Sequence, residues 1–456
     1  MQNFMSNSSP TINLQVTTSH QQILKIALPI SLAIMVPQLN FITNNIFLGG
    51  LGQEALGIAG ITGVYYLIFA VVGHGLNNGL QALISRRAGE NRIDEIGRLF
   101  TQGIYISFGF AALGILFTWF VAPIILKFSL HDPERVAIAV RFLNIRILGL
   151  PFLYVYQMRN ALLVGTNQTR YLILGTTTEA VVNVFFDYTL IYGKLGLPQM
   201  GFDGAAIASI ISEVAGLVVL FMVLRYKGIS KQLNLFKSWK FERTNSKLII
   251  VQSAPLIAQH AISIISWEFF YILIEHHGAR DLAVSNTMRN MFGFFGCFTW
   301  AFAATANTMV SNVIGQNKQE LVMPLIKKIM YWSVGFASLV CLILNLFPHA
   351  FLSVYGQGED FIQSGIPVLR VVSCALVLMS ISVVWMNAVT GSGNSSMNLA
   401  TEFVAIIFYC IYVYTTMEKM QLPITWGWGS EWIYWTTILI PSFWYMQSGR
   451  WKKIKI

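Results

Sequence analysis

The sequence has few charged residues. Asp, Glu, Lys and Arg occupy 11% of its 456 positions, whereas aliphatic, aromatic, Met and Cys residues occupy 55%. A soluble globular domain carries about 25% charged residues, because its surface must be solvated by water. The composition therefore excludes a water-soluble domain and predicts an integral membrane protein whose outer surface is solvated by lipid.

Cysteine and histidine are also scarce, and neither occurs at a spacing typical of metal ligands. The four cysteines lie within apolar stretches, which is typical of small packing residues. His74 and His260 lie within apolar stretches without an HExxH or CxxC pattern around them. We therefore expect no cofactor and no structural metal. A membrane-embedded enzyme or scaffold is the weakest alternative, because no nucleophile, metal-ligand set or His–acid pair has a usable spacing.

A cleavable signal peptide is not evident at the start of the chain. Residues 1–22 are rich in Ser, Thr, Asn and Gln, and they lack a basic segment followed by a short apolar core. We interpret them as a loose cytoplasmic tail.

The most informative pattern that is present is an internal repeat. Residues 27–30 align with residues 253–256, and residues 85–92 align with residues 311–318, at one constant offset of 226. Further along, Asn160 and Asn387 align at an offset of 227. A membrane protein built from two similar halves is typical of transporters, whose central site lies between the repeats.

The apolar stretches divide into twelve predicted transmembrane helices, since a bilayer-spanning helix needs about 20 apolar residues. Six helices in each half predict an all-α fold of two pseudo-symmetric lobes. The predicted spans are residues 23–48, 57–84, 100–126, 135–163, 170–192, 203–226, 247–275, 282–313, 323–347, 362–391, 396–418 and 429–447. The resulting domains are a tail (1–22), an N-lobe (23–226), a cytoplasmic inter-lobe loop (227–246), a C-lobe (247–447) and a basic cytoplasmic tail (448–456).

Lys and Arg are concentrated in loops that the predicted spans place on one side of the membrane. These are the loops after spans 2 and 8, the inter-lobe loop and the C-terminal tail. The excess of basic residues on the cytoplasmic side predicts that both termini are cytoplasmic and that the protein is a multi-pass cell-membrane protein. The net charge of +10 is spread over several loops without a binding module, so we expect no nucleic-acid partner.

Several carboxylates fall inside predicted spans, where a charge costs about 2.5–3.5 kcal/mol on insertion scales. Asp187 is the strongest functional candidate, because Asn183 lies four residues earlier on the same helix face. Together they offer a proton acceptor and oxygen ligands for Na⁺. The further intramembrane acids are Glu179, which we place near a helix end, and Glu213, Glu268 and Glu402. For these acids, the alternative is an internal ion pair with one of the intramembrane arginines, Arg141, Arg146, Arg159, Arg289 and Arg370.

Aromatic residues are frequent, at 13% of the chain. We select Tyr65, Trp267, Arg289 and Trp300 as candidates for lining a substrate cavity, because rings bind flat or cationic ligands by stacking and cation–π contacts. Most aromatic residues instead fill helix interfaces. We interpret four tryptophans around the start of the last span as an interfacial belt: Trp426, Trp428, Trp432 and Trp435.

Two motifs carry a resemblance to a known family. The pattern Ser-x-x-x-Gly-x-Asn-[Arg/Lys] follows the second helix of each half, at residues 85–92 and 311–318. Residues 183–193 read NVFFDYTLIYG, and residues 198–209 read PQMGFDGAAIAS. Together with the two six-helix halves, these motifs resemble the MATE (multidrug and toxic compound extrusion) family of the MOP superfamily over nearly the whole chain. The resemblance implies a V-shaped fold and cation-coupled antiport of small organic compounds, cationic or amphipathic, by alternating access.

The resemblance also implies a cation site in the N-lobe. Its usual members are an acid on helix 1, an Asn and an Asp on helix 5, and a hydroxyl residue on helix 6. Here Asn183 and Asp187 match the helix-5 pair, Ser209 replaces the usual Thr, and Asn44 stands where the acid is expected. An Asn can ligate Na⁺ but cannot carry a proton, so the coupling ion can be H⁺ or Na⁺. Some family members use an acid on helix 7, where Glu268 lies.

A flippase for lipid-linked saccharides from the same superfamily is the main alternative. The intramembrane arginines favour this alternative, whereas the twelve-helix count and the helix-5 motif disfavour it. In either case we expect membrane lipid and a small-molecule substrate as partners, and a monomer.

Overall fold

The computed structural model describes residues 13–129 and 132–454, and this part of the chain is helical without any strand. Twelve long helices are found in it, which confirms the predicted number. They are α1 (His20–Gly49), α2 (Gln53–Gly89), α3 (Ile93–Ser129), α4 (Pro133–Gly165), α5 (Leu172–Tyr192), α6 (Phe202–Tyr226), α7 (Arg243–Glu275), α8 (Ala279–Gly315), α9 (Val322–Leu346), α10 (Glu359–Ser392), α11 (Ser395–Lys419) and α12 (Ser430–Gln447).

Nine of these helical stretches are long and apolar enough to cross a membrane on length and composition alone, among the residues that the structure describes. Helices α5, α8 and α12 are not among these nine. Helix α4 contains a 3₁₀ turn at Ile147–Gly149. Leu150 separates this turn from Pro151, which has no N–H to donate to the carbonyl of Ile147.

The two lobes repeat the same packing scheme. In the N-lobe, α5 packs against α1 and α6, and α4 packs against α2 and α3. In the C-lobe, α11 packs against α7 and α12, and α10 packs against α8 and α9. The internal repeat of the sequence is therefore a repeat of the helix bundle.

The lobes meet where α2 crosses α8, at the end of the molecule near the first and last described residues of the chain. A Cβ atom at Gly89 would collide with the carbonyl group of Asn312, and a Cβ atom at Gly315 would collide with the carbonyl oxygen of Arg86. These two contacts are related by the offset of 226. Only glycine allows the two backbones to approach so closely, which explains the glycine in both copies of the motif.

Hydrogen bonds across this crossing also occur in matched pairs. Ser85 Oγ donates to the carbonyl of Thr308 at 2.7 Å, and Ser311 Oγ donates to the carbonyl of Ala82 at 2.7 Å. Their partners are related by the same offset. The lobes are thus joined at the end near the termini by two copies of one interface.

The segment that precedes α1 lies across this interface. Leu14 and Val16 are buried in the core. Asn312 accepts a hydrogen bond from Val16 N at 3.1 Å and donates to the carbonyl of Leu14 at 2.9 Å. The loose tail expected for residues 1–22 is therefore wrong for residues 13–19, which are held by the C-lobe, and α1 begins at His20. Residues 1–12 and 455–456 of the predicted tails lie outside the described part.

The inter-lobe loop packs against the N-lobe. It contains a short helix, Ile229–Gln232, followed by the buried side chains of Leu233 and Leu235. On α3, Gln102 Nε2 donates to the carbonyl of Lys240 at 2.8 Å. Helix α7 begins at Arg243, four residues before the predicted start of the C-lobe.

Two of the four tryptophans predicted to form an interfacial belt are core residues. Trp428 is fully buried, and its indole N–H donates to Ser285 Oγ at 3.1 Å. Trp435 is also buried. The belt interpretation was wrong for these two, because their N–H groups find hydrogen-bond acceptors inside the C-lobe. Trp426 and Trp432 are exposed.

Candidate functional site

Asp187 lies on α5 with 0% of its surface exposed. Neither of its carboxylate oxygens has a hydrogen-bond partner among the described residues, and the same holds for Asn183 Oδ1 one turn earlier. A buried carboxylate is costly unless a cation or a proton neutralises it. The Asn183–Asp187 pair therefore has the chemistry needed to bind a cation or to accept a proton.

Asn44 lies on the neighbouring helix at a similar level. Helices α1 and α5 run in the same direction, because Thr169 Oγ1 donates to the carbonyl of Lys25 and the Tyr192 hydroxyl donates to the carbonyl of Phe47. Counting along both helices from these contacts places Asn44 near the level of Asp187. Asn44 Oδ1 is buried and has no hydrogen-bond partner in the described part of the chain.

Ser209 reaches the same level from α6. This helix runs opposite to α5, because Gly204 packs against the backbone of Leu190 and Gly216 packs against the carbonyl oxygen of Gly175. Ser209 thus lies between the levels of Asn183 and Asp187. Its hydroxyl donates to the carbonyl of Ala205 at 2.9 Å, which leaves its oxygen free to accept or to ligate.

Glu213, also on α6, has a cationic partner. Arg146 Nη2 lies 2.5 Å from Glu213 Oε1, and Arg146 Nη1 lies 3.3 Å from Glu213 Oε2. The guanidinium carbon is 4.2 Å from the centre of the Tyr66 ring. This bidentate pair joins α4 to α6, so the structure favours the ion-pair alternative for Glu213.

A second arginine of α4, Arg159, is buried among the same helices. Its Nη1 donates to the carbonyl of Gly216 at 3.2 Å, and its guanidinium lies 4.2 Å from the Tyr156 ring centre. Glu179 packs beside Gly216 and interacts electrostatically with Arg159 and Arg146. The expected position of Glu179 near a helix end is wrong, because this residue lies in the middle of α5. The N-lobe therefore balances Glu179 and Glu213 with two arginines, whereas Asp187 has no such partner in the part of the chain that the structure describes.

The C-lobe contains a cavity of about 240 Å³ between α7, α8, α10, α11 and α12. Two of the predicted cavity residues, Trp267 and Trp300, line it. Arg289 lies with its guanidinium carbon 5.4 Å from the Trp267 ring centre and 5.3 Å from the Tyr271 ring centre. Tyr65 is elsewhere: it is buried in the N-lobe core and donates to Thr118 Oγ1 at 3.2 Å.

Two buried glutamates line this cavity. Glu402 is 1% exposed, and it accepts hydrogen bonds from the Tyr434 hydroxyl at 2.6 Å and from Gln259 Nε2 at 3.3 Å. Glu431 is 6% exposed and accepts from Trp435 Nε1 at 2.9 Å.

Sequence reasoning missed Glu431. It lies within the predicted span 429–447, and an acid inside an apolar span was the available signal, but the surrounding tryptophans were interpreted as a belt at the membrane surface. Glu268 is half-buried on α7 and does not line the cavity.

Within the described residues, no group of three or more His, Cys, Asp or Glu side chains is placed to hold a metal ion. A bound Na⁺ in the N-lobe would therefore depend on Asn and Ser oxygens as well as on Asp187. These oxygens are hard ligands, which suit Na⁺ better than a transition metal.

Two lobes of six helices with buried carboxylates inside each define a membrane transporter of the two-repeat type. The structure superposes on an outward-facing multidrug resistance MATE family transporter of the MOP superfamily with a TM-score of 0.88, at 16% identity and 98% coverage of both chains. It also superposes on a MOP superfamily transporter from Pyrococcus furiosus, described as having a binding pocket of reverse polarity. That TM-score is 0.87, at 16% identity and with 99% of this chain and 100% of the other covered.

The MatE family model matches residues 29–189 and again residues 255–415, once in each lobe and at the offset of 226. The chain therefore belongs to the MatE family, as the sequence motifs indicated. It is 22% identical over 447 residues to a probable multidrug resistance protein NorM from Thermotoga maritima, covering 96% of this chain and 94% of that protein. It is 24% identical to a protein of the same description from Synechocystis, covering 78% and 79%.

Proposed function

We propose that this transporter exports small organic cations or amphipathic compounds in exchange for H⁺ or Na⁺ that binds at Asp187. The observation that carries this proposal is the fully buried Asp187 carboxylate, which has no hydrogen-bond partner among the described residues, in a lobe where Glu213 and Glu179 interact with arginines. The two-lobed fold and the relatives described as multidrug resistance proteins support the export of organic compounds.

Alternating access requires that the present interface between the lobes opens. The matched pair of Ser85 and Ser311 hydrogen bonds closes the end near the termini, which the distribution of Lys and Arg predicts to be cytoplasmic. A cation at Asp187 removes the cost of the buried charge and so stabilises the states in which Asp187 is enclosed. Ion binding and substrate binding then shift the populations of the two facing states in opposite directions.

The identity of the coupling ion depends on whether Asp187 acts alone or together with neighbouring neutral oxygens. With Asn44 in place of an acid, Asp187 is the single proton carrier of the N-lobe site, which favours one proton per cycle. The alternative is Na⁺, for which Asn44, Asn183 and Ser209 would supply neutral oxygens beside the Asp187 carboxylate.

The experiment uses everted membrane vesicles that hold a pH gradient. A panel of organic cations is added with and without a Na⁺ gradient, and both the pH gradient and the uptake of each cation are followed for the wild type and for Asp187→Asn. We expect the cations to dissipate the gradient in the wild type and to lose this effect in Asp187→Asn. Cation uptake that requires the Na⁺ gradient and leaves the pH gradient unchanged would assign Na⁺ as the coupling ion.

The matched control is Asp360→Asn, the same substitution at a side chain that is 85% exposed and forms an ion pair with exposed Arg280. Exposed pairs of this kind contribute about 0–1 kcal/mol, so this variant should transport normally. Normal transport by Asp187→Asn would contradict the N-lobe mechanism. A wild type that responds to no cation, with or without Na⁺, would favour the flippase alternative instead.

A further inference from the structure

We infer that the C-lobe cavity between α7, α11 and α12 is a binding site for a small aromatic dication, whose two positive charges are taken by Glu402 and Glu431. This inference rests on the proposed export of organic cations and specifies a ligand class and a position for it.

The cavity lining contains acidic side chains but no Lys or Arg among the described residues. Glu402 and Glu431 are both more than nine-tenths buried, and neither forms an ion pair within the described part of the chain. No Lys or Arg is found among the described lining residues, and Arg289 lies against the rings of Trp267 and Tyr271 without an ion pair. Two buried carboxylates without a cationic partner require two positive charges from a ligand or from protons.

A second observation is independent of the acids. Tyr409 is 3% exposed and lines the same cavity. The hydroxyl groups of Tyr409 and Ser430 interact with one another, but neither makes a hydrogen bond within 3.5 Å in the described structure. A buried phenol without such a bond is unfavourable, and a polar ligand in the cavity would satisfy it.

The walls of the cavity are aromatic. Tyr434 lies between Tyr409 and Trp435, with ring centres 5.9 Å and 4.7 Å apart, and Trp300 lies 6.5 Å from Trp435. Aromatic faces attract both organic cations and flat rings. Only two of the lining side chains are carboxylates, and no group of three or more His, Cys, Asp or Glu side chains is placed to hold a metal ion among the described residues. Sites for Ca²⁺ or Mg²⁺ need about six or more oxygen ligands around one point. The lining therefore fits an aromatic amine better than an inorganic divalent cation.

The volume limits the size of the ligand. A cavity of 240 Å³ is smaller than the roughly 300–1,000 Å³ that is usual for drug-sized ligands. One benzene ring with two aminomethyl groups fits this limit, whereas a multi-ring dye does not.

The cavity also reaches the boundary between the lobes. On its rim, His260 Nε2 lies 3.4 Å from Asn78 Nδ2 of the N-lobe. Gly293, also on the rim, faces the side-chain amide oxygen of Gln38 on α1. A ligand held by Glu402 and Glu431 is therefore next to the surfaces that must separate during alternating access.

The test measures equilibrium binding to the purified full-length protein in nanodiscs, without transport. The probes are p-xylylenediamine, 4-methylbenzylamine and 4-methylbenzyl alcohol, which have similar shapes and carry two, one and no positive charges. Binding is followed by calorimetry and by quenching of tryptophan fluorescence, because three tryptophans line the cavity. We expect the diamine to bind at least tenfold more tightly than the monoamine, and the alcohol to bind weakest.

Glu402→Gln and Glu431→Gln should each remove most of the preference for the diamine over the monoamine. Glu418→Gln is the matched control, because Glu418 lies on α11 as well but is exposed and contacts His276. This control should keep the full preference.

Equal affinity of the wild type for the diamine and the monoamine would overturn the inference, whatever the variants do. Competition of millimolar Ca²⁺ or Mg²⁺ with the diamine at equal stoichiometry would also overturn it, in favour of a metal site. Because no gradient is involved, a failed binding test leaves the Asp187 proposal intact. A failed vesicle test likewise leaves the binding result interpretable.

Discussion

In the N-lobe, Arg146 contacts both carboxylate oxygens of Glu213, whereas the corresponding position of the C-lobe is an uncharged residue. At the offset of 227 that aligns Asn160 with Asn387, Arg146 corresponds to Ser373 and Arg159 corresponds to Met386. The helix packing of the two lobes is nevertheless the same. The two lobes therefore share a backbone arrangement but differ in whether arginines lie beside their buried carboxylates.

This difference indicates a division of roles between the lobes. N-lobe arginines interact with Glu179 and Glu213 and leave Asp187 as a fully buried carboxylate without a cationic partner in the described part of the chain. In the C-lobe, Glu402 and Glu431 receive hydrogen bonds only from neutral donors in the described structure. In the described structure, the buried ion pair between helices thus lies in the N-lobe, whereas the C-lobe has exposed pairs such as Arg280–Asp360 and unneutralised acids beside a cavity.

Breaking the N-lobe ion pair should give the largest effect on stability. We expect Arg146→Met to lower the free energy of unfolding by about 3–5 kcal/mol, because it leaves Glu213 buried without a cation. The measurement is denaturation in mixed micelles, followed by tryptophan fluorescence. In the double variant Arg146→Met/Glu213→Gln, most of this loss should be recovered, because no buried charge remains. A double variant as unstable as the single one would show that packing, and not charge, holds α4 to α6.

The interface between the lobes provides a contrasting test, because here the two lobes make equivalent contacts. We expect Gly89→Ala and Gly315→Ala each to destabilise the closed crossing by about 1–3 kcal/mol, since each added methyl group meets a carbonyl group of the other lobe. The measurement is the distance between spin labels placed on the two lobes at the end near the termini. Both variants should shift the distribution toward longer distances.

The controls for this prediction are Gly109→Ala and Gly335→Ala. These glycines are also related by the offset of 226, and a Cβ atom at either would meet no atom within 4 Å. Their distance distributions should match that of the wild type. A shift in only one of the two crossing variants would contradict the symmetric interface.

The sequence predicted the features that depend on local pattern. Twelve helices followed from the apolar stretches, and the constant offset located both copies of the lobe. Asp187 was identified from Asn183 one turn away, because residues four apart share a helix face. The glycines at the crossing lay in a repeated motif, although the sequence did not show that each one meets the backbone of the other lobe.

Features that depend on contacts between distant residues were not predictable in this way. Arg146 and Glu213 lie 67 residues apart, and no periodicity connects them. Glu431 was hidden by its aromatic neighbours, because Trp428 and Trp435 have the composition of a membrane-surface belt but point into the core. Side-chain direction across several helices decides such cases, and a single sequence gives it only weakly.

The smallest expected effect on stability is in the C-lobe, and it tests the comparison most directly. Glu402→Gln keeps an amide oxygen for the Tyr434 hydroxyl and loses the hydrogen bond from Gln259, which contributes about 1 kcal/mol. Removal of a buried charge without a cationic partner offsets that loss. We therefore expect the free energy of unfolding to change by less than about 1 kcal/mol, with Glu418→Gln as the exposed control. A loss as large as that of Arg146→Met would mean that Glu402 is neutralised by a cation in the folded protein, and the two lobes would then treat their buried acids alike.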